Sequence, residues 1–220
     1  MTGRQTEGIS PQWRYLVVEG PIGSGKSALA RRLAEHRGVH LLAEQPEANP
    51  FLARFHRHFP HHALATQLAF LMQRADSARA MIGGELFGQP LVSDFLFERD
   101  ALFAGLNLDE EEQGLYRRLA QLALPEHPVP DLVIYLQASE ETLLSRVAAR
   151  PDSEVVPYPD GYLKRVHAAY SEFFHRYDSA PLLIVNTDHL DLVEGQEDFE
   201  LLLRCISEVR GQRSYFNKSV

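Results

Sequence analysis

The string Gly20-Pro21-Ile22-Gly23-Ser24-Gly25-Lys26-Ser27 has the residue types and spacing that hold a chain of phosphates. It matches G-x-x-x-x-G-K-S/T in full. Its glycines let the backbone turn N–H groups inward, towards phosphate oxygens. A helix opening at the end of the string adds partial positive charge. Lys26 is then placed to reach the β- and γ-phosphates, and Ser27 to ligate Mg²⁺. The chemistry implied is binding of ATP or a similar nucleoside triphosphate. The motif alone leaves the phosphoryl acceptor open: water, a protein or a small molecule.

A kinase also needs a carboxylate near the attacking hydroxyl. Glu44 ends a short apolar run, and Pro46 stops that run two residues later. A lone Glu there is otherwise a solvated charge. Asp94 ends another run, where it would hold Mg²⁺ through water, orient the nucleophile, or cap a helix starting near Leu96. Gln67, Phe70 and Arg74 recur at helical spacing, with Gln67 and Arg74 two turns apart on one face. Such a stripe reads and stacks a base, or is the polar edge of an amphipathic helix. His56, His58, His61 and His62 are spread over a helix and a Pro-broken loop, a poor pattern for a metal.

Positioning these groups needs a sheet. Residues 15–19, 40–44, 90–94, 131–136 and 182–185 read as five buried strands. Helices are expected over 28–36, 50–58, 63–82, 110–122, 139–150, 162–177 and 196–209. Residues 1–13 read as a loose tail and 14–220 as one domain, with a Pro-rich lid at about 150–161. Alternating strands and helices predict an α/β fold with a five-stranded parallel sheet, covered on both faces. Ligands bind such sheets at the carboxyl ends of the strands. Gly20, Glu44 and Asp94 all fall there.

Composition narrows the class. The chain has 220 residues, 45% of them hydrophobic, and a net charge of -8. That balance argues against a nucleic-acid surface, which needs basic patches. No apolar run is long enough to span a membrane, and a single cysteine, Cys205, reads as core. A reducing, cytoplasmic setting is expected. GTPase readings need N-K-x-D and D-x-x-G strings, and neither occurs in a suitable place. A small-molecule kinase fits the length.

At this point the chain resembles the deoxyribonucleoside kinase family, particularly its bacterial branch, with deoxyadenosine/deoxyguanosine kinase-like members. The resemblance runs from Tyr15 to about Val209. It rests on residues 20–27, Glu44 through Asn49-Pro50-Phe51-Leu52, Gln67 with Phe70 and Arg74, Asp94 with Asp100, Tyr135-Leu136-Gln137-Ala138, Arg146 with Arg150, and Tyr162-Leu163. It implies a P-loop kinase with a short lid, using ATP and Mg²⁺ to phosphorylate a deoxynucleoside 5′-hydroxyl in nucleotide salvage. It also implies a homodimer. By resemblance, Glu44 is the carboxylate beside the 5′-hydroxyl and the first choice as base, with Asp94 the competitor near the metal. Gln67 hydrogen-bonds the base, helped by Arg74 and Asp100. Arg146 and Arg150 neutralise transferring phosphates.

Three departures stand out. The arginine expected after the acid is Phe95, the tyrosine expected at the sugar 3′-hydroxyl is His56, and a further lid arginine is Asp152. Arg99 lies one helical turn past Phe95 and is expected to supply the missing cation. His56 is expected either to bind the 3′-hydroxyl or to be a surface histidine. Two rival readings are a thymidylate kinase-like nucleoside monophosphate kinase, which needs further cations, and a nucleotide-binding regulatory module with little turnover. A purine base is favoured, and no nucleic acid or membrane partner is expected.

Overall fold

A computed structural model describes residues 13–149 and 158–218. Strand β1 (Tyr15–Glu19) leads into helix α1 (Lys26–Arg37), and β2 (His40–Leu42) into a single 3₁₀ turn. Helices α2 (Leu52–Arg57) and α3 (Ala63–Gly83) precede β3 (Leu91–Ser93). After α4 (Arg99–Asn107) and α5 (Glu110–Ala123) come β4 (Leu132–Gln137), α6 (Glu140–Ala148) and α7 (Tyr162–Arg176). Strand β5 (Leu182–Asn186), α8 (Gln196–Glu208) and β6 (Arg213–Phe216) complete the order.

The strands pair in parallel in the order β2-β3-β1-β4-β5-β6. Among the described residues the sheet therefore has six strands where five are expected from the sequence. The extra one, β6, is four residues long and gains its place by pairing with β5, from Leu182 opposite Arg213 onward. The second strand is also shorter than 40–44: beyond Leu42 the backbone leaves the ladder, and the Glu44 N–H turns to the Asp94 side chain instead.

Strand side chains alternate between faces. Val17, Val133 and Tyr135 join α3, α4 and α7 in one core, whereas Leu16, Val18, Ile134 and Leu136 join α1 and α8 in the other. Cys205 is half-buried and packs against the second core. The chain passes from β1 to neighbours on opposite sides, β3 and β4, which makes the end of β1 the switch point where such sheets bind ligands. Among the described residues no helix is long and apolar enough to cross a membrane. Of the expected tail, only Trp13 is described; its indole N–H donates to the Ile206 carbonyl at 3.2 Å. Residues 150–157 of the expected lid lie outside the described residues, and with them Arg150 and Asp152.

Candidate active site

The phosphate loop joins β1 to α1. A Cβ on Gly20 would lie 2.5 Å from Ser24 Oγ and 2.8 Å from the Leu136 carbonyl, so only glycine lets the loop pass β4. Gly25 is the residue before α1, with a left-handed φ of 87°, and offers no side-chain cap. The first N–H groups of α1 are thus left for an anion. Lys26 and Ser27 open the helix and line a cavity of 310 Å³. Burial pushes the Lys26 ammonium below its ordinary range, and Arg99 adds to this; Glu19, Glu44 and Asp94 oppose it.

The same cavity is lined by Glu44 and Asp94. The Glu44 N–H donates to Asp94 Oδ1 at 2.7 Å, which fixes the two strand ends relative to each other. Glu44 Oε1 accepts from both Arg74 Nη2 and Arg99 Nη2. Burial by itself would raise the Glu44 carboxyl, but Arg99, Arg74 and Lys26 together bring it down to about 2. Glu44 is therefore an anion at neutral pH. A carboxylate in that state can accept a hydrogen bond from a hydroxyl.

Gln67 and Phe70 face the cavity from α3, and Asp100 and Phe103 from α4. Helical spacing places Gln67 and Arg74 on one side of α3 as the sequence predicts, but they do different things. Gln67 lines the cavity, while Arg74, only 1% exposed, does not. Arg74 lies behind it, donating through Nε to Asp100 Oδ1 at 3.2 Å and stacking 3.8 Å over the Phe95 ring. Phe95 is fully buried, so position 95 supplies an aromatic floor for Arg74 and no cation. Burial raises the Asp100 carboxyl despite Arg74 and Arg99. Its Oδ2 is buried without a hydrogen-bond partner, and the residue borders the cavity. His56, on α2, borders it too, with its ring edge-on to Tyr158 at 5.1 Å between centroids. Burial lowers the imidazole to about 4, so it is neutral at pH 7.

Sequence reasoning misses Glu19. It is fully buried and accepts from the Gly20 N–H at 2.9 Å, the Leu96 N–H at 3.0 Å and the Tyr170 hydroxyl at 3.2 Å. Arg99 Nε lies 3.5 Å from its Oε1. Burial raises the Glu19 carboxyl, with Arg99 and Lys26 opposing. The available signal is a carboxylate on a buried apolar strand directly before the phosphate loop; such a group needs cations around it. Arg99, 6% exposed, therefore bridges Glu19 and Glu44, and burial of the guanidinium is outweighed by these carboxylates, which hold its proton well above the usual range.

Arg146 takes a different place. Its guanidinium donates to Thr187 Oγ1 at 3.0 Å and to the Thr187 carbonyl at 2.6 Å. It borders a second, smaller hollow of 120 Å³ on the other side of the phosphate loop, shared with Ser24, Gly25, Asp191 and Val193.

Comparisons with known proteins identify the family and the fold. The family model described as deoxynucleoside kinase matches residues 16–209. Deoxyguanosine kinase of Bacillus subtilis (strain 168) is 27% identical over 200 residues, covering 89% of this chain and 97% of that protein. Deoxyadenosine kinase of Lactobacillus acidophilus is 29% identical over 209 residues, covering 89% of this chain and 95% of that protein. A solved structure of deoxyadenosine kinase from M. mycoides with bound dATP superposes with a TM-score of 0.75, covering 88% of this chain and 100% of that one. At 21% identity that last likeness speaks for the fold.

Proposed function

The chain belongs to the deoxynucleoside kinase family, and from that premise we propose that it transfers the γ-phosphate of ATP to the 5′-hydroxyl of a purine deoxyribonucleoside in nucleotide salvage. One observation carries the reading. A single cavity is lined by Lys26 and Ser27, by Glu44 and Asp94, and by Gln67 and Asp100. Those three pairs supply groups for phosphate, reacting hydroxyl and base.

In this reading Glu44 and Asp94 hold the hydroxyl in line with the γ-phosphorus. Glu44 remains the first choice as proton acceptor: Arg74 and Arg99 fix it through Oε1, which leaves Oε2 for the hydroxyl. A carboxylate of low basicity suits a transition state in which the phosphoryl group is nearly free and the proton leaves late. Lys26 meets the charge on the transferring group. Arg99 holds Glu44 in place and, with Arg74, keeps it ionised. Gln67 presents an amide donor and acceptor to the base edge, and Asp100 Oδ2 gives a further polar contact. Arg150 is proposed to add charge neutralisation from the lid.

The donor set suits Mg²⁺. The Ser27 hydroxyl and Asp94 carboxylate are hard oxygen ligands bordering the same cavity. Two protein ligands are few, which fits an ion that arrives with the triphosphate. When bound, Mg²⁺ would neutralise phosphate charge.

The monophosphate kinase reading is disfavoured by charge. Among the described residues that line the cavity, the lysine and arginine side chains are Lys26 and Arg99, and Arg99 is engaged by Glu44 and Glu19. The regulatory-module reading is disfavoured by the intact Lys26, Ser27, Glu44 and Asp94. Incubation with ATP·Mg²⁺ and a panel of deoxynucleosides and their monophosphates tests all three. ADP release with deoxyadenosine or deoxyguanosine is expected. Release only with monophosphates, or with none, would overturn the proposal. A cytoplasmic homodimer is the proposed working form, and light scattering on the purified chain checks the dimer.

A further inference from the structure

The smaller hollow beside the phosphate loop is walled by residues 190–193, part of an irregular segment between β5 and α8. Such a wall needs its backbone groups satisfied if it is to hold a shape. One side chain does most of this. Arg32, on α1, donates through Nη1 to the carbonyls of Leu192 at 3.0 Å, Val193 at 2.7 Å and Gly195 at 3.2 Å. Its Nη2 donates to Gln196 Oε1 at 2.8 Å, and the guanidinium lies 4.1 Å over the Phe199 ring. Asp191 folds the segment from within, accepting from the Val193 and Glu194 N–H groups at 3.2 and 2.9 Å.

We propose that Arg32 is a positioning residue that clamps this segment to the phosphate-binding helix and so shapes the place of the donor nucleobase. The inference rests on the kinase reading above and adds to it that a triphosphate seated on residues 20–27 extends its nucleoside into the hollow that Gly25, Arg146, Asp191 and Val193 border. The geometry gives Arg32 this task. It sits on the same helix as Lys26, about 9 Å further along the axis. Helix and wall therefore move as one body, and phosphate and base positions are set together. A Val193 methyl lies 3.9 Å from where a Gly25 Cβ would be, so even a small displacement of the segment alters the hollow next to the phosphates.

Full-length Arg32→Ala and Arg32→Lys test this with two probes, ATP and inorganic tripolyphosphate, which carries the phosphates without a base. Loss of charge-assisted hydrogen bonds predicts that KM for ATP rises about tenfold in Arg32→Ala and about threefold in Arg32→Lys. With ATP saturating, kcat stays within about twofold. Tripolyphosphate binding is unchanged, and amide exchange over 190–195 accelerates. An unchanged ATP KM, unchanged exchange, or equal weakening of ATP and tripolyphosphate would overturn the proposal, the last because Arg32 would then act on the whole helix. If Arg32→Ala fails to fold, Arg32→Lys is judged by the same criteria. Val193→Trp tests the underlying reading separately. It fills the hollow and should block ATP while sparing tripolyphosphate. If it leaves ATP binding intact, the hollow is not the base site. If it blocks ATP while Arg32→Ala and Arg32→Lys change nothing, the base site stands and the clamp alone is wrong.

Discussion

Arg74 and Arg99 converge on one oxygen of Glu44, Oε1, from two different helices. Each also holds a second buried carboxylate, Asp100 for Arg74 and Glu19 for Arg99. Glu19, Arg99, Glu44, Arg74 and Asp100 thus form a chain of alternating charges, and removing one leaves a neighbour short of a partner.

Glu44→Gln keeps the shape but removes the anion proposed to orient the hydroxyl. It is expected to lower kcat by about 10²-fold or more while ATP still binds. Steady-state kinetics with deoxyadenosine, alongside ATP titration calorimetry, check this; wild-type-like turnover would remove Glu44 from the mechanism.

Arg99→Ala leaves Glu19 buried without its nearest cation and Glu44 with only Arg74. Breaking a buried pair from one side costs about 3–5 kcal/mol. A drop of this size in urea-unfolding free energy is expected, together with a loss of about 10²-fold in kcat. Arg99→Lys should recover part of the stability. If Arg99→Ala left both stability and kinetics unchanged, position 99 would not be the cation that Phe95 lacks.

Gly20→Ala places a methyl against Ser24 Oγ and the backbone oxygen of Leu136. The loop must then shift, and ATP binding is expected to fall below detection in calorimetry while far-ultraviolet circular dichroism is retained. Normal ATP affinity would show that the loop tolerates the displacement.

The Glu44 carboxyl is held at about 2, against an ordinary value near 4.5. A depressed folded-state pKa stabilises above the ordinary value, and the contribution is lost as pH falls towards about 2. The shift corresponds to about 3 kcal/mol. Glu19 and Asp100, raised by burial, act oppositely and lose stability as pH rises through their raised values. The stability gap between wild type and Glu44→Gln should therefore narrow from pH 4.5 to pH 2 in urea titrations. A constant gap would mean that the arginines do not hold Glu44 ionised.

His56 is neutral at pH 7 and borders the cavity, so it can serve the sugar through a hydrogen bond and not through charge. His56→Ala is expected to reduce discrimination between a deoxynucleoside and its 3′-deoxy analogue by about tenfold in kcat/KM. Equal discrimination in both proteins would assign His56 to packing against Tyr158.

Much of this arrangement is legible before folding. The phosphate loop is a contiguous string whose backbone demands can be read from its glycines. Gln67 and Phe70 follow from helical spacing. Helix α4 places Arg99 between Glu19 and Glu44, and its role as the cation absent at Phe95 is the proposal that Arg99→Ala tests. Other roles are not legible. Arg74 looks like a base-contacting residue on the same stripe as Gln67, yet it lies behind the cavity on Phe95. Arg146 is a phosphate ligand by resemblance, and the contact to Thr187 that two of its N–H groups make, bordering the hollow beside the phosphate loop, is visible only in the fold. Strand β6 has the sequence Arg213-Ser214-Tyr215-Phe216, which is no apolar run, and it exists through pairing with β5.

The sequence by itself determined the class of fold, the triphosphate site and the strand-end carboxylates, because each is a local pattern that the backbone must express nearby. Only the tertiary structure decided which charges meet. Glu19 finds partners 77 and 151 residues away, and Glu44 finds partners 30 and 55 residues away. A buried charge is tolerated only where opposite charges and donors surround it, and those neighbours are chosen by how helices pack on the sheet.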